Sequence, residues 1–187
     1  KGLQLDGPDG YEPDHKYYGG IGYGGDERPD LSNQYMALEA LKATATDEND
    51  PVWDKALTFV SRAQNYSETN DQEWAGNDGG FVYMPGYSPH EGLNSYGGMT
   101  SAGLLSLLFA GADKSDPRVK AAYDWIRANY TLEENPGAGN QGLYYYYNVF
   151  AKCMNVYGET EIVDTNGVAH NWRTDLARKP ISRQHKD

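Results

Sequence analysis

The sequence predicts an all-α chain of paired inner and outer helices, and three observations carry that expectation. Apolar residues recur at helical spacing in several successive segments. Leu38, Leu41, Asp47, Asp50, Pro51, Ala56, Phe59 and Val60 return 66 residues later as Leu104, Leu107, Asp113, Asp116, Pro117, Ala122, Trp125 and Ile126. Each of these two units holds a strongly apolar pattern followed by an amphipathic one, which is how a buried layer under a surface layer reads.

The first inner helix is expected from Leu31 to about Thr44, with Leu31, Tyr35, Leu38 and Leu41 on one face. The first outer helix opens at Pro51 behind Asp50 as N-cap. It buries Trp53, Ala56, Leu57 and Val60 and leaves Asp54, Lys55 and Arg62 toward water. The second inner helix runs from about Met99 to Ala110 and is apolar nearly all round, so it needs burial on most sides. The second outer helix starts at Asp116-Pro117, with Val119, Ala122, Tyr123 and Ile126 inward and Arg118, Lys120, Asp124 and Arg127 outward. A third inner helix is expected over Leu143 to Tyr157, with Leu143, Tyr146, Phe150, Cys153 and Tyr157 in line and Gly158 as its stop. A sixth pattern opens near Trp172 with Leu176 and Ile181, and Pro180 inside it is expected to break or kink any helix. The whole reads as one domain: an irregular segment over 1–16 and units at about 17–82, 83–143 and 144–187. Two long links, Asn65 to Tyr96 and Tyr130 to Gly142, are rich in glycine and aromatics, and long irregular links in a small domain tend to carry function.

Composition narrows the classes. The 187 residues carry 27 Asp and Glu against 16 Lys and Arg, a net charge of -11 with no basic run, so nucleic acid is not an expected partner. No apolar stretch approaches the ~20 residues of a membrane span, and no charged-then-apolar leader opens the chain, so it reads as soluble with its compartment open. A leader lost by export fits the same reading. The single Cys153 excludes an internal disulfide and a cysteine zinc cluster and reads as a small buried hydrophobe. With 22 glycines, 16 tyrosines, a hydrophobic fraction of 39 % and mean hydropathy of -0.77, much of the core must be aromatic or small.

Three glycine-aromatic motifs join these helices: Gly19-Gly20-Ile21-Gly22-Tyr23-Gly24-Gly25, Asn77-Asp78-Gly79-Gly80-Phe81, and Ser95-Tyr96-Gly97-Gly98-Met99-Thr100-Ser101-Ala102-Gly103-Leu104. With the alternating helices they resemble the prenyltransferase/squalene oxidase repeat family, the α/α toroid of terpenoid cyclases and protein prenyltransferases. The resemblance implies a toroid of inner/outer helix pairs, about six in the full ring and three here, and therefore a partial ring completed by a partner domain or chain. It also implies that a glutamine ending an outer helix braces a following Gly-x-aromatic segment. Gln64 stands so before Gly79-Gly80-Phe81, and Asn129 takes the corresponding place before Gly142-Leu143-Tyr144. The final Ser182-Arg183-Gln184-His185-Lys186-Asp187 reads as such a motif cut short.

The family's catalytic signatures are missing. No D-x-D-D motif of a protonating cyclase occurs, and Arg28 within Asp26-Glu27-Arg28-Pro29-Asp30 would hold nearby carboxylates ionised. The third inner helix, where the resemblance places a zinc histidine, has none across Tyr144 to Phe150. No metal and no cofactor is expected. What remains is a rim: the segments leading into the first and second inner helices should share one mouth, bringing together Asp26, Glu27, Arg28, His90, Glu91 and Tyr96 beside helix N-termini. Asp26, Glu27, His90 and Glu91 are the catalytic candidates, because a His-Glu pair beside Tyr and Arg can move protons. The plainer alternative has Asp30 and Ser32 capping one helix, Thr100 capping the other, and the rest solvated.

Tyr96 and the run Tyr144, Tyr145, Tyr146 and Tyr147 are the ligand-binding candidates, since tyrosine faces suit isoprenoid chains and sugar rings alike, with core packing as the alternative. Asn65-Tyr66-Ser67 and Asn129-Tyr130-Thr131 match the glycosylation acceptor. The expectation is a binding or scaffolding module whose aromatic inner surface takes an apolar or carbohydrate ligand or a partner domain. The alternative is a divergent enzyme acting on an isoprenoid or carbohydrate from the rim of Asp26, His90 and Glu91.

Overall fold

The structure is a computed structural model, and it describes residues 4, 10–22 and 28–184. Among these the regular elements are α1 (Leu31–Ala43), α2 (Val52–Arg62), α3 (Gly97–Phe109), α4 (Pro117–Ala128), α5 (Leu143–Tyr157), β1 (Ile162–Val163), β2 (Ala169–His170) and α6 (Trp172–Ser182). The chain is thus all-α in its packing, with one two-residue antiparallel pair, Ile162 opposite His170, joining α5 to α6.

The central helix is α3. It packs against α1 and α5 on its flanks and against α4 and α2 behind, while α6 leans on α5. Its composition dictates this place: every residue from Gly97 to Leu107 is buried, because an all-round apolar helix has no face to give to water. Helices α2 and α4 bury an apolar stripe, Val52, Trp53, Ala56, Phe59 and Val60 in α2 and Val119, Ala122, Trp125 and Ile126 in α4. Each of the larger side chains among these contributes roughly 1.5–3 kcal/mol by leaving water, and each alanine methyl less. In α5 the expected face of Leu143, Tyr146, Phe150, Cys153 and Tyr157 is buried, and Gly158 closes the helix in the left-handed region, its N–H on the carbonyl of Met154.

Helices α2 and α4 begin alike. Asp116 caps α4 by accepting the Arg118 N–H at 2.8 Å, and Asp50 accepts the Val52 N–H at 3.0 Å although α2 proper starts one residue after Pro51. A second device occurs twice. Gln4 donates through Nε2 to the carbonyls of Gly19 and Val52 at 3.2 and 3.0 Å, and Gln64 donates to those of Gly79 and Arg118 at 2.9 Å each. Isolated bridges pair Gln4 with Ile21 and Gln64 with Phe81. The N–H of Ile21 then donates to Gln34 Oε1 at 2.8 Å on α1, and that of Phe81 to Thr100 Oγ1 at 3.1 Å on α3. Each latch therefore ties its loop to two helices at once, the first to α2 and α1 and the second to α4 and α3.

Several expectations are corrected. Helix α3 starts at Gly97 with Tyr96 as N-cap, so Thr100 caps nothing and instead serves the latch. Asn129 does not brace Gly142; its Nδ2 donates to the carbonyl of Trp125 in its own helix. Pro180 lies within α6, in its last turn, where the helix has only two residues left to run and closes with short-range bonds from Arg183 to Pro180 and from Gln184 to Ile181. Arg62 is not on the wet side of α2 but 6 % exposed, its guanidinium bidentate to Asp71 and donating also to the carbonyls of Pro13 and His15. Asn65 is buried with its amide engaged by Leu93, Ser95 and Gly76, a structural role that leaves no room for a glycan.

Cys153 is fully enclosed on α5, and burial pushes its thiol pKa up. A thiol reagent such as dithionitrobenzoate is therefore expected to leave the native chain unmodified and to label it completely in concentrated guanidinium; rapid native labelling would contradict this burial.

Candidate functional site

The N-terminal ends of α1, α3 and α5 meet at one cavity of about 290 Å³, lined by Ser32 of α1, Met99 of α3 with its N-cap Tyr96, Tyr145 of α5 with its N-cap Gly142, and Tyr83, Pro89, His90, Asn135 and Gln141 from the links. The links are held there by backbone bonds: Leu31 N–H donates to the Tyr83 carbonyl at 3.0 Å, and Gly97 N–H to that of Pro136 at 2.8 Å. Asn135, 2 % exposed, ties two sides of the mouth by accepting Gly98 N–H at 2.9 Å and donating to the Gln141 carbonyl at 2.9 Å. The His90 ring stands edge-on to that of Tyr96, centroids 4.6 Å apart.

A larger cavity of about 520 Å³ adjoins it, lined by Lys16, Tyr17, Arg28, Asp30, Tyr83, Met84, Gly86 and Tyr87. Tyr83 belongs to both. Asp30 is committed to the start of α1, accepting from Ser32 Oγ at 2.6 Å, Asn33 N–H at 2.9 Å and Asn33 Nδ2 at 2.7 Å. This is the capping role expected of it. Burial foremost, with the nearby tyrosines and the Asp30 charge, pushes the phenols of Tyr96 and Tyr145 up, so both stay neutral hydroxyls throughout the biological range.

The candidate residues separate accordingly. His90, Tyr96 and Tyr145 come together at the smaller cavity. Tyr146 and Tyr147 are core residues whose hydroxyls donate to the carbonyls of Thr131 and Leu132, and Tyr144 is 67 % exposed on the other side of α5. Glu91 is exposed and lines neither cavity, and no bond joins it to His90 among the described residues. Asp26 and Glu27 lie outside the described residues. Sequence reasoning missed Tyr83, Tyr87, Asn135 and Gln141, which sit in the two long links flagged as functional but carry no spacing of their own. Among the described residues, no group of three or more His, Cys, Asp or Glu is placed to hold a metal, and no helix is long and apolar enough to cross a membrane.

No protein-family model, no curated protein and no solved structure matches the chain.

Proposed function

We propose that this chain is a carbohydrate-binding module of α/α-toroid type, with its binding site in the paired cavities at the N-terminal ends of α1, α3 and α5. The observation that carries the binding half is the lining itself. Aromatic rings from separate chain segments, Tyr83, His90, Tyr96 and Tyr145, stand around one cavity together with the Gln141 amide and the Ser32 hydroxyl. Sugars present just this mixture, apolar ring faces edged by hydroxyls, whereas a purely apolar isoprenoid would leave the Tyr145 hydroxyl, buried and without a hydrogen-bond partner among the described residues, unanswered. The toroid half is supported by the doubled Gln-Gly latch, which joins outer helix to loop to inner helix in the same way at both places.

Binding rather than hydrolysis is the better reading. Glycoside hydrolysis needs a pair of carboxyl groups flanking the bond, and among the described lining residues the only carboxylate, Asp30, is spent on the cap of α1.

Titration calorimetry with maltotriose, cellotriose, xylotriose, chitotriose and trigalacturonate tests the reading. At least one should bind, and Tyr145→Ala should weaken it about tenfold, the loss of one stacked ring and its contacts. Tyr144→Ala, on the exposed side of the same helix, should leave affinity unchanged. Equal losses from both variants, or none from Tyr145→Ala, would contradict the site.

A further inference from the structure

Resting on that reading, we infer that the site is built for a chain of sugars rather than a single one: the smaller cavity takes one residue, the larger takes its neighbour, and Tyr87 is the outer stacking platform. Three features carry this. Tyr83 is a wall common to both cavities, so they lie side by side, within reach of neighbouring residues of one chain. Its backbone is fixed, since its carbonyl accepts the first N–H of α1. Tyr87 is 49 % exposed yet held firmly, at the end of a tight turn in which Met84 and Tyr87 exchange backbone bonds at 3.2 and 2.9 Å around Gly86 in the left-handed region. The Tyr83 and Tyr87 rings sit edge-on, centroids 6.4 Å apart, and Tyr17 Oη reaches Met84 Sδ at 3.4 Å beneath the turn.

A rigid, half-exposed ring at the rim adds little to the core of the chain. It adds a flat apolar face beside a cavity that already has one, and a ligand spanning both pays its lost motional freedom once for two sets of contacts. The smaller cavity has no Asp, Glu, Lys or Arg in its described lining, while the larger carries Lys16 and Arg28 beside the capped Asp30, so the two ends are chemically unlike and a chain would sit in one direction.

Calorimetry over a length series, from the monosaccharide to the hexamer of whichever of the five sugars binds, decides it. Affinity is expected to rise at least tenfold from monosaccharide to disaccharide and then to level off, the trimer binding as the disaccharide does. Tyr87→Ala, at an exposed position where the fold should be unaffected, is expected to bring the trimer down to monosaccharide affinity while leaving the monosaccharide unchanged. A monosaccharide that binds as tightly as the trimer, or a Tyr87→Ala variant with full trimer affinity and an unchanged melting temperature, would overturn the two-subsite inference while leaving a carbohydrate site standing. Binding of none of the five sugars at any length would overturn the carbohydrate reading and this inference together.

Discussion

Gly79→Ala is expected to destabilise the chain by about 2–5 kcal/mol, summing about 1–3 kcal/mol for a side chain forced into a filled space with about 1–2 kcal/mol for a left-handed non-glycine residue. Gly79 sits at φ +83, and a Cβ there would lie 2.5 Å from the carbonyl oxygen of Ala121 on α4. Neither partner can yield cheaply. The contact is with helix backbone, and the loop is pinned by Gln64 from one side and by the Asn65 carbonyl, which accepts Gly79 N–H at 2.8 Å, from the other. Gly19 repeats the arrangement at φ +77, where a Cβ would fall 1.9 Å from the Lys55 carbonyl oxygen on α2. Gly111 separates the two causes: its φ is +92 but nothing lies within 4 Å of its would-be Cβ, so Gly111→Ala should cost only the conformational part. For a domain of this size the Gly79 variant should melt about 10 °C lower and the Gly111 variant only a few degrees lower. Equal shifts in the two would show that the close approach to α4 contributes nothing.

The contrast between these glycines also explains what sequence can and cannot reveal here. The helices were readable because their causes are local. Asp116-Pro117 starts α4 by a cap and a fixed φ, Gly158 ends α5, and the line of Leu143, Tyr146, Phe150, Cys153 and Tyr157 follows from helical spacing alone. The latch was half readable, since Gln64 and Gly79-Gly80-Phe81 could be paired through the resemblance. That Thr100, inside α3, would accept the Phe81 N–H had no local signal.

The site divides the same way. Meeting of the segments before α1 and α3 at one mouth was expected, and Asp30, His90 and Tyr96 do line the adjoining cavities. Which tyrosine of four would face them was not readable, because four consecutive rings cover more than a full helical turn and only the neighbours of α5 select Tyr145. Tyr83 and Tyr87 belong to a turn whose position depends on a backbone bond to the start of α1, a contact between segments with no common periodicity.

Arg62→Met is expected to cost about 1–3 kcal/mol at neutral pH, because it takes a donor from the carbonyls of Pro13 and His15 and leaves Asp71 without its cation. Arg62→Lys should recover less than half of that. An ammonium is a point donor, and the site is filled by a planar fork making bonds of 2.8 and 2.6 Å to the two Asp71 oxygens and 2.9 Å to each carbonyl. The clamp also reaches the site, since it fixes the segment that ends in Lys16 and Tyr17 on the wall of the larger cavity. Loosening it should weaken long ligands more than a monosaccharide held in the smaller cavity.

The same pair predicts a pH dependence with a definite sign. The Arg62 hydrogen bonds hold the Asp71 carboxyl below its usual value of 3.8, outweighing partial burial, which acts the other way. A carboxyl lowered in the folded state stabilises the fold above its unfolded pKa, and the contribution disappears as pH falls through the lowered folded value. Asp71 is more than half exposed, so solvent screens its charge and the effect should be modest. Urea unfolding of the parent chain should therefore show stability declining below about pH 4. In Asp71→Asn the decline should be shallower, from a lower plateau at pH 7. An acid slope that is identical in Asp71→Asn and the parent would show that Asp71 enters the clamp without its charge, leaving the two backbone carbonyls as the whole reason for burying Arg62.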